Sequence, residues 1–325
     1  MTSSTRSAAS PEAALASAPA ISAVIPVLNE EPNLVELHAR VRKALESTGR
    51  TWEIVYVDDG SSDGSLELLG TFAESDPRVH VIEFSRNYGQ HAAVFAGLAN
   101  STGEIVVTLD ADLQNPPEEI PRLVAKMEEG FDVVGTRRKN RKDPLFRRLA
   151  SRAVNRMTGG GMTDYGCMLR AYRRHVVEQI GRCRELSSFV PVLANQFAKK
   201  TAEIEVEHEA RRRGTTKYGL RKLIDLQFDL MTGFSVLPLR LMTLFGGLVA
   251  TSAVALGLFL LVMRVVKGSE WAQFGVFTLF AVLFLMVGLL FASLGVLGEY
   301  IGRIYGEVRG RPRYVVRRIH GRNVP

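Results

Sequence analysis

Short apolar runs alternate with amphipathic stretches over the first part of this 325-residue chain. Runs of about four to eight apolar, often β-branched residues predict buried strands. They lie at 22–27, 53–57, 79–84, 105–109 and 132–136, with a further alternating run at 201–208. Between the first runs, apolar residues recur at the spacing of a helix with one buried face. The alternation of strand and helix predicts an α/β domain with a mostly parallel sheet covered by helices.

A different pattern begins near residue 239. Residues 241–263 and 272–298 carry no charged side chain, and each segment is long enough to span a bilayer. Only the short segment 264–271 separates them. We therefore expect two transmembrane helices joined as a hairpin. A hairpin buried inside a soluble domain is the alternative, and the length and apolarity of both segments disfavour it.

The distribution of apolar and polar residues also predicts the segments before and after the α/β domain and the hairpin. Residues 220–231 place apolar and charged side chains on different faces, which predicts an interfacial helix but also fits an ordinary core-facing helix. The opening residues are rich in Ala, Ser, Thr and Pro and contain no apolar signal core. The predicted segments are a disordered tail at 1–20, the α/β domain at 21–218, interfacial helices at 219–238, the membrane hairpin at 239–300 and a basic tail at 301–325.

Charge narrows the choice of partners. The formal net charge is +7, which predicts an anionic partner: nucleic acid, a membrane surface or a phosphorylated substrate. No nucleic-acid-binding module is legible in the sequence, which disfavours the first. Basic residues flank the hairpin on both outer sides, so the positive-inside rule places both flanks in the cytoplasm. Two cysteines provide no disulfide framework and fit a reducing compartment.

Polar clusters follow three of the predicted strands. In parallel sheets, ligands bind at the carboxyl ends of the strands, where these clusters would meet. The clusters are Asn29 with Glu30, then Asp58, Asp59 and Gly60, and finally Asp110, Ala111 and Asp112.

The third cluster has the chemistry of a metal site. Asp110 and Asp112 follow the apolar run 105–109 and, two residues apart on an extended chain, point the same way. Two carboxylates suit Mg²⁺ or Mn²⁺, which bind oxygen ligands and share them with phosphates. A lone pair of this kind is more often an Asx turn that satisfies loop amides. The convergence of the three clusters favours the metal site.

Three motifs carry a resemblance to a known family. Residues 24–31 (VIPVLNEE), 57–63 (VDDGSSD) and 109–114 (LDADLQ) resemble glycosyltransferase family 2, whose members have a GT-A fold. The later segments 298–305 (GEYIGRIY) and 311–314 (RPRY) are similar to bacterial polyprenyl-phosphate glycosyltransferases. Within these, 164–174 (DYGCMLRAYRR), 191–195 (PVLAN) and Lys217 with Tyr218 resemble the members that transfer 4-deoxy-4-formamido-L-arabinose. Leu28 and the basic segment 211–213 depart from the family pattern.

The resemblance implies a reaction. A sugar would pass, with inversion and with the help of a divalent metal, from a UDP-linked donor to undecaprenyl phosphate. The donor implied is UDP-4-deoxy-4-formamido-L-arabinose, and the product would supply a lipid-linked sugar for lipid A modification, a route to antibiotic resistance. The catalytic domain would face the cytoplasm at the bacterial inner membrane. Relatives of this kind also imply a homo-oligomer, such as a tetramer, packed through the hairpin.

The resemblance also assigns roles to residues. The implied catalytic residues are Asp112, Asp164 and Arg137. The implied metal ligands are Asp110, Asp112 and Gln114, for Mg²⁺ or Mn²⁺. The acceptor phosphate is assigned to Arg137, Arg147 and Ser151, since a guanidinium grips phosphate through two hydrogen bonds. The nucleotide-sugar site would comprise Pro26, Asn29, Glu30, Asp58, Asp59, Gly60, Asp110, Ala111 and Asp112.

Other functions remain open at this point. The donor sugar could differ, for example glucose, or the enzyme could resemble dolichyl-phosphate mannose synthase. A processive polysaccharide synthase shares the GT-A core, but its Gln-x-x-Arg-Trp motif is missing, since neither Trp52 nor Trp271 fits it. A membrane-anchored scaffold that binds a nucleotide sugar without turnover is the non-enzymatic alternative, and the intact Asp110 and Asp112 argue against it.

Overall fold

The computed structural model describes residues 19–138, 162, 164, 166–183, 189–206, 237–267 and 276–321. The chain divides into two compact units, one of Met1–Lys217 with Pro312–Pro325 and one of Tyr218–Arg311. Most of the predicted tail at 1–20 and of the interfacial segment at 219–238 lies outside the described residues, as do Arg147 and Ser151.

The first unit is the predicted α/β domain. Its opening elements are β1 (Ile21–Val27), α1 (Glu31–Glu46), β2 (Trp52–Asp58), α2 (Ser65–Ser75), β3 (Val79–Phe84), α3 (Gln90–Asn100) and β4 (Ile105–Thr108). The later elements are α4 (Ile120–Glu128) after a 3₁₀ turn at Pro117–Glu119, β5 (Val133–Arg138), β6 (Arg170–Arg173), α5 (Arg174–Arg182), α6 (Val190–Phe197), β7 (Thr201–Val206) and β8 (Val316–His320). Every predicted strand is confirmed, while β6 and β8 were not predicted.

The strands form one sheet in the order β7-β5-β6-β4-β1-β2-β3-β8. The centre, β4-β1-β2-β3, is parallel as expected. The simple series predicted from the sequence fails after β4, because β6 lies antiparallel between β4 and β5. The result is a mostly parallel, GT-A-like sheet in which β6 separates β5 from β4, the strand that precedes the Asp110–Asp112 cluster.

Strand β8 comes from the segment that the sequence analysis treated only as a basic tail. It pairs antiparallel with β3, with Val81 opposite His320 and Ile82 opposite Ile319. This pairing covers the β3 edge, whose backbone groups would otherwise be open to another chain. The end of the chain is therefore part of the first unit.

The central strands are buried on both faces, which explains their nearly continuous apolar sequence. All seven residues of β1 and all seven of β2 are buried. Helix α1 packs its predicted apolar stripe onto the sheet, with Leu34, Leu37 and Val41 fully buried. This packing fixes the strand ends that carry the polar clusters.

A buried carboxylate, Glu53, ties β1 and β2 to the loop before β4. Ser22 Oγ donates a hydrogen bond of 2.6 Å to Glu53, and Thr102 donates through its backbone N–H (2.6 Å) and its hydroxyl (2.9 Å). Burial alone would raise the pKa of Glu53, but hydrogen bonds from His80, Ser22 and Thr102 outweigh it and lower the pKa to about 2. The ionised form is therefore stabilised by folding.

We expect Glu53→Gln to lower the free energy of unfolding by about 1–3 kcal/mol at pH 7, because hydrogen bonds to a buried charge are lost. The contribution is complete above the unfolded pKa near 4.3 and disappears as pH falls toward 2. Thermal unfolding of the full chain in detergent measures the effect. Glu104→Gln is the matched control, since Glu104 forms an exposed pair with Arg173. Equal losses in both variants would contradict the assignment.

The second unit contains two long helices, α7 (Leu237–Lys267) and α8 (Val276–Val308). Both are long and apolar enough to cross a membrane. Large apolar side chains such as Leu248 and Phe291 lie exposed on them. The two predicted apolar helices are confirmed, and α8 continues past the predicted end at 298 to Val308.

Candidate active site

The first polar cluster joins two turns at the carboxyl ends of β1 and β2. Asn29 has a positive φ of 55°, a conformation that asparagine tolerates better than most residues. Its backbone N–H donates to Ser61 Oγ (3.0 Å), and its side-chain Oδ1 accepts from the backbone N–H of Ser62 (2.7 Å). Pro26 lies buried within β1. The predicted residues are thus brought together, with Asn29 bridging the two turns.

Glu30 lies beside this bridge and is half-buried. Its backbone N–H donates to Ser65 Oγ (3.0 Å), and its carboxylate accepts from the Asn33 side chain (2.6 Å). The negative charge of Glu30 also contributes to raising the pKa of Asp110. The first and third clusters therefore share one electrostatic environment.

Asp58, at the end of β2, is almost fully buried. One oxygen, Oδ2, accepts the backbone N–H of Ser61 (3.2 Å), whereas Oδ1 is buried and has no partner among the described residues. Burial raises the pKa of Asp58, hydrogen bonds from Ser61 and Gly60 oppose the rise, and the nearby charge of Glu83 adds to it. A buried acceptor without a donor is rare in folded proteins, so this oxygen has capacity for a donor from water or a ligand.

The next two residues hold a neighbouring loop. Both oxygens of Asp59 accept backbone N–H groups, from Tyr88 (2.7 Å) and Gly89 (2.9 Å). Gly60 has a φ of 73°, and a Cβ at this position would lie 2.7 Å from the backbone of Arg86 and Asn87. Only glycine fits this approach. The predicted Asp59 and Gly60 therefore belong to the site by forming its wall.

The Asp110–Asp112 cluster lies at the end of β4. Asp110 Oδ1 accepts from Gln90 Nε2 (2.6 Å), and Asp112 Oδ1 accepts the backbone N–H of Gln114 (3.1 Å). Leu113 has a positive φ of 60°, which is a strained conformation for leucine, and Ala111 is buried. Burial and the charge of Asp112 raise the pKa of Asp110 to about 7, against the opposing hydrogen bond from Gln90. The cluster concentrates negative charge at the end of β4, which the charge of Arg138 offsets in part.

This charge and these oxygen donors fit a divalent cation. Among the described residues, no group of three or more His, Cys, Asp or Glu side chains is close enough to hold a metal ion. Two carboxylates alone leave coordination positions open, as at sites where Mg²⁺ or Mn²⁺ is shared with substrate phosphates. Gln114 engages Asp112 through its N–H, and its predicted role as a metal ligand stays a prediction.

We expect the affinity for Mn²⁺ to fall as pH drops below about 7, because a proton on Asp110 competes with the metal. Well below that pH, each further unit would weaken binding about tenfold. Electron paramagnetic resonance of Mn²⁺ bound to the full chain, without donor, measures the affinity between pH 5.5 and 8. Asp112→Asn removes the second cause of the raised pKa and leaves burial, the first, so any remaining pH dependence would move to lower pH. Affinity that is constant across this range would contradict the expectation.

Asp164 lies in a buried ion pair. Its carboxylate accepts from Arg138 Nε (2.8 Å) and Nη2 (3.1 Å), and also from the backbone N–H of Gly166 (3.0 Å). The backbone of Asp164 is fixed as well, since its N–H donates to Glu203 and its carbonyl accepts from Arg170. A carboxylate engaged in this way holds its partner in place. The structure therefore presents Asp164 as the residue that orients Arg138.

Arg137, the residue predicted from the sequence, and its neighbour Arg138 have different surroundings in the structure, and the predicted role of Arg137 stays a prediction. Adjacent strand residues point to opposite faces. Arg137 is half-exposed and pairs with Glu205, whereas Arg138 reaches Asp164 and its charge lowers the pKa of Asp110. Arg147 and Ser151 lie outside the described residues.

Sequence reasoning missed a link beneath the site. The thiol of Cys167 donates to Asn115 Oδ1 (3.2 Å) and contacts Thr136 Oγ1 (2.8 Å). Burial raises the pKa of the Cys167 thiol, so it remains a neutral donor. These residues are far apart in sequence, and no local pattern predicts their contact. The link connects the Asp110–Asn115 loop to the loop that holds Asp164.

Comparisons with known proteins identify the family of this chain. The sequence profile of "Glycosyl transferase family 2" matches residues 22–181. The undecaprenyl-phosphate 4-deoxy-4-formamido-L-arabinose transferase of Pectobacterium atrosepticum is 56% identical over 304 residues, covering 92% of this chain and 93% of the relative. The enzyme of the same name from Salmonella paratyphi B is 53% identical, with the same coverage.

Solved structures with a similar chain path have lower sequence identity to this chain. The glucosyl-3-phosphoglycerate synthase of Mycobacterium tuberculosis, in complex with Mn²⁺, UDP and glucosyl-3-phosphoglycerate, is 21% identical with a TM-score of 0.48, covering 68% of this chain and 80% of that chain. A mannosyltransferase from Pyrobaculum calidifontis in complex with GDP-Man and Mn²⁺ is 22% identical with a TM-score of 0.47, covering 61% and 59%.

The sequence identity extends over nearly the whole chain, including the part beyond the family 2 profile. The chain therefore belongs to glycosyltransferase family 2, in the same group as the undecaprenyl-phosphate 4-deoxy-4-formamido-L-arabinose transferases, and it is a glycosyltransferase.

Proposed function

We propose that this enzyme transfers 4-deoxy-4-formamido-L-arabinose, with inversion, from its UDP-linked donor to undecaprenyl phosphate. The reaction would take place at the cytoplasmic face of a bacterial inner membrane and supply a lipid-linked sugar for lipid A modification. The relatives' names support the sugar and the acceptor, at 53–56% identity over 92% of the chain. The observation that carries the chemistry is the Asp110–Asp112 pair, in which burial and then the charge of Asp112 raise the pKa of Asp110 to about 7.

On the donor side, Asp110 and Asp112 would hold Mg²⁺ or Mn²⁺. When bound, the ion would neutralise negative charge on the departing nucleoside diphosphate. Asp58 Oδ1, buried without a donor, would accept the imide N–H of uracil. The wall formed by Asp59 and Gly60 limits the space beside it. These contacts support a UDP-linked donor.

On the acceptor side, the nucleophile needs positioning more than deprotonation. A phosphate monoester is largely dianionic at neutral pH, with a second pKa near 6. Asp164, with both oxygens engaged, holds Arg138 and does not serve as a base. Arg138 offers a planar fork that suits a phosphate. We therefore assign the acceptor phosphate to Arg138 together with the predicted Arg147 and Ser151, and Arg137 remains the alternative for the first position.

The second unit supports a membrane location. Helices α7 and α8 would form the membrane hairpin, and Arg309 and Arg311, directly after α8, would face the anionic cytoplasmic leaflet. The predicted homo-oligomer would assemble through the same helices.

A topology experiment checks this arrangement. We expect Ser269→Cys, between the two helices, to react with a membrane-impermeant maleimide in intact cells, and Arg311→Cys to react only after permeabilisation. The chain without added cysteine gives the background from Cys167 and Cys183. The reverse labelling pattern would contradict a cytoplasmic catalytic domain.

A donor panel tests the choice of sugar. The purified full chain is incubated with undecaprenyl phosphate and, separately, the UDP-linked formamido-arabinose, UDP-glucose and GDP-mannose. We expect kcat/KM for the formamido-arabinose donor to exceed that for UDP-glucose by at least about 100-fold, since a site that hydrogen-bonds the formamido group would leave its own polar groups unpaired when glucose binds. Equal or better turnover of UDP-glucose or GDP-mannose would overturn the proposed sugar.

A further inference from the structure

Residues 313–320 are connected to the proposed donor site through the loop 85–90, which is defined here to include Gln90, the first residue of α3. Strand β3 leads directly into this loop. The backbone N–H of Ser85 donates to the carbonyl of Val315, just before β8 (3.1 Å). The base of the loop is therefore bound by the last residues of the chain, and the pairing of β3 with β8 continues that support.

An aromatic stack extends this support into the loop. Tyr314 lies face to face with Phe84, with ring centroids 5.0 Å apart, and Tyr88 packs its edge against Phe84 at 5.6 Å. The guanidinium of Arg86 covers the Tyr88 ring at 4.5 Å, and Ser85 Oγ lies 3.0 Å from the Tyr88 hydroxyl. The position of Tyr88 thus depends on Phe84, which in turn packs on Tyr314.

The far end of the same loop touches both acidic clusters. Tyr88 and Gly89 donate their backbone N–H groups to Asp59, and Gln90 donates its side-chain N–H to Asp110. The close approach of Arg86 to Gly60 leaves the loop little room to shift. A displacement of Tyr88 would therefore disturb the hydrogen bonds that the loop donates to Asp59 and Asp110.

A buried carboxylate adds a second connection. Glu83 of β3 lies opposite Asp58 of β2 in the sheet register. Glu83 is almost fully buried, and Arg317 Nη1 (3.0 Å) and His320 Nε2 (3.3 Å) from β8 pair with it. Two neighbouring buried carboxylates repel each other. The pairing with β8 compensates the charge of Glu83 and holds it in place beside Asp58.

We propose that residues 313–320 are a positioning element of the donor-nucleotide site: Tyr314 beneath Phe84, with Arg317 and His320 on Glu83, holds the loop 85–90 against Asp59 and Asp110. This inference rests on the proposed function, because it takes the ligand of Asp58, Asp110 and Asp112 to be a nucleoside diphosphate. Tyr314, Arg317 and His320 are not assigned a contact with substrate. Their effect on donor binding is therefore indirect, and acceptor binding should not change.

The test uses the full chain in detergent. UDP affinity is measured by titration in the presence of Mn²⁺, and steady-state kinetics give kcat and the KM of each substrate. Tyr314→Ala removes the stack and is expected to weaken UDP binding and raise the donor KM by about 3- to 10-fold. The acceptor KM is expected to stay unchanged, and kcat to stay within about twofold of the wild-type value. Tyr314→Phe keeps the stack and is expected to behave as the wild type. The double variant Arg317→Ala/His320→Ala is expected to change the donor parameters in the same direction as Tyr314→Ala. Arg311→Ala, which removes an exposed charge outside β8, is the matched control.

Several results would overturn the inference. Wild-type UDP affinity in Tyr314→Ala, a similar loss in Tyr314→Phe or Arg311→Ala, or equal changes in the KM of both substrates with a lowered Tm would each do so. A wild-type chain that binds UDP and transfers sugar while Tyr314→Ala behaves identically removes this inference and leaves the proposed function intact. A wild-type chain that binds no nucleotide removes both.

Discussion

Replacing Asp112 by asparagine is expected to reduce kcat by at least about 10²–10³-fold, the scale on which a single electrostatic group at a reacting centre acts. The substitution removes one of only two carboxylates in the cluster and with it the charge that would hold the divalent ion. The fold should survive, because Asp112 lies at a strand end, is only half-buried and makes one hydrogen bond to a backbone N–H in the described structure. In this variant burial still raises the pKa of Asp110, but the contribution from the charge of Asp112 is lost.

The measurement is sugar transfer by purified Asp112→Asn at increasing Mn²⁺, with Tm recorded on the same preparation. Glu118→Gln is the matched control: Glu118 also follows β4 but forms an exposed ion pair with Arg40 at 2.8 Å. We expect near-normal turnover from the control. Metal-dependent turnover in Asp112→Asn within about tenfold of the wild-type rate would show that this carboxylate is not a ligand.

Arg138→Ala is expected to lower kcat/KM for undecaprenyl phosphate by about 10- to 100-fold, corresponding to about 1.5–3 kcal/mol for a charge-assisted contact. The substitution also leaves Asp164 buried without its guanidinium partner, which destabilises the loop around it. UDP affinity should change little, since Asp58 and the Asp110–Asp112 pair remain. Arg138→Lys should restore only part of the activity, because an ammonium cannot reproduce the planar fork.

Arg137→Ala is the control that the strand itself offers. It removes the same charge from the adjacent residue, whose exposed pair with Glu205 contributes little. Steady-state kinetics with varied undecaprenyl phosphate should show the loss in Arg138→Ala and near-normal values in Arg137→Ala. A loss confined to Arg137→Ala would restore the assignment made from the sequence, and equal losses would show that neither arginine has a specific place in the acceptor site.

The central strands could be predicted because each is a short apolar run that is visible in the local sequence. β3 was predicted at its observed bounds, and the polar clusters that follow β1, β2 and β4 do meet at one edge of the sheet. The spacing of apolar residues predicted the strands, and the rule that parallel strands end at the same edge of a sheet predicted that the clusters meet. The same local pattern identified the two long apolar helices.

The missed elements depend on contacts between distant residues. β8 is arginine-rich and shows no apolar alternation, and its partner β3 lies more than 200 residues earlier in the chain. β6 contains Arg170, which is fully buried and donates to the carbonyl of Cys167 (2.8 Å), so a polar residue occupies a place where the pattern expects an apolar one. Such positions become recognisable only when their partners are known.

The choice between Arg137 and Arg138 shows the same limit within the site. Both residues follow the apolar part of β5, and composition alone cannot separate them. Pairing of β5 with β7 places Glu205 opposite Arg137, and the loop fixed by Arg170 brings Asp164 to Arg138. The strand register therefore decides which arginine faces the acidic clusters.

The most direct test of the proposed function is identification of the lipid product. The purified full chain is incubated with UDP-4-deoxy-4-formamido-L-arabinose, undecaprenyl phosphate and Mg²⁺, and both products are followed by mass spectrometry. We predict that one undecaprenyl phosphate carrying the sugar appears for each UDP released, and that none appears with Asp112→Asn. UDP release without a lipid-linked sugar, or no turnover at all by the wild-type chain, would contradict transfer to the lipid phosphate.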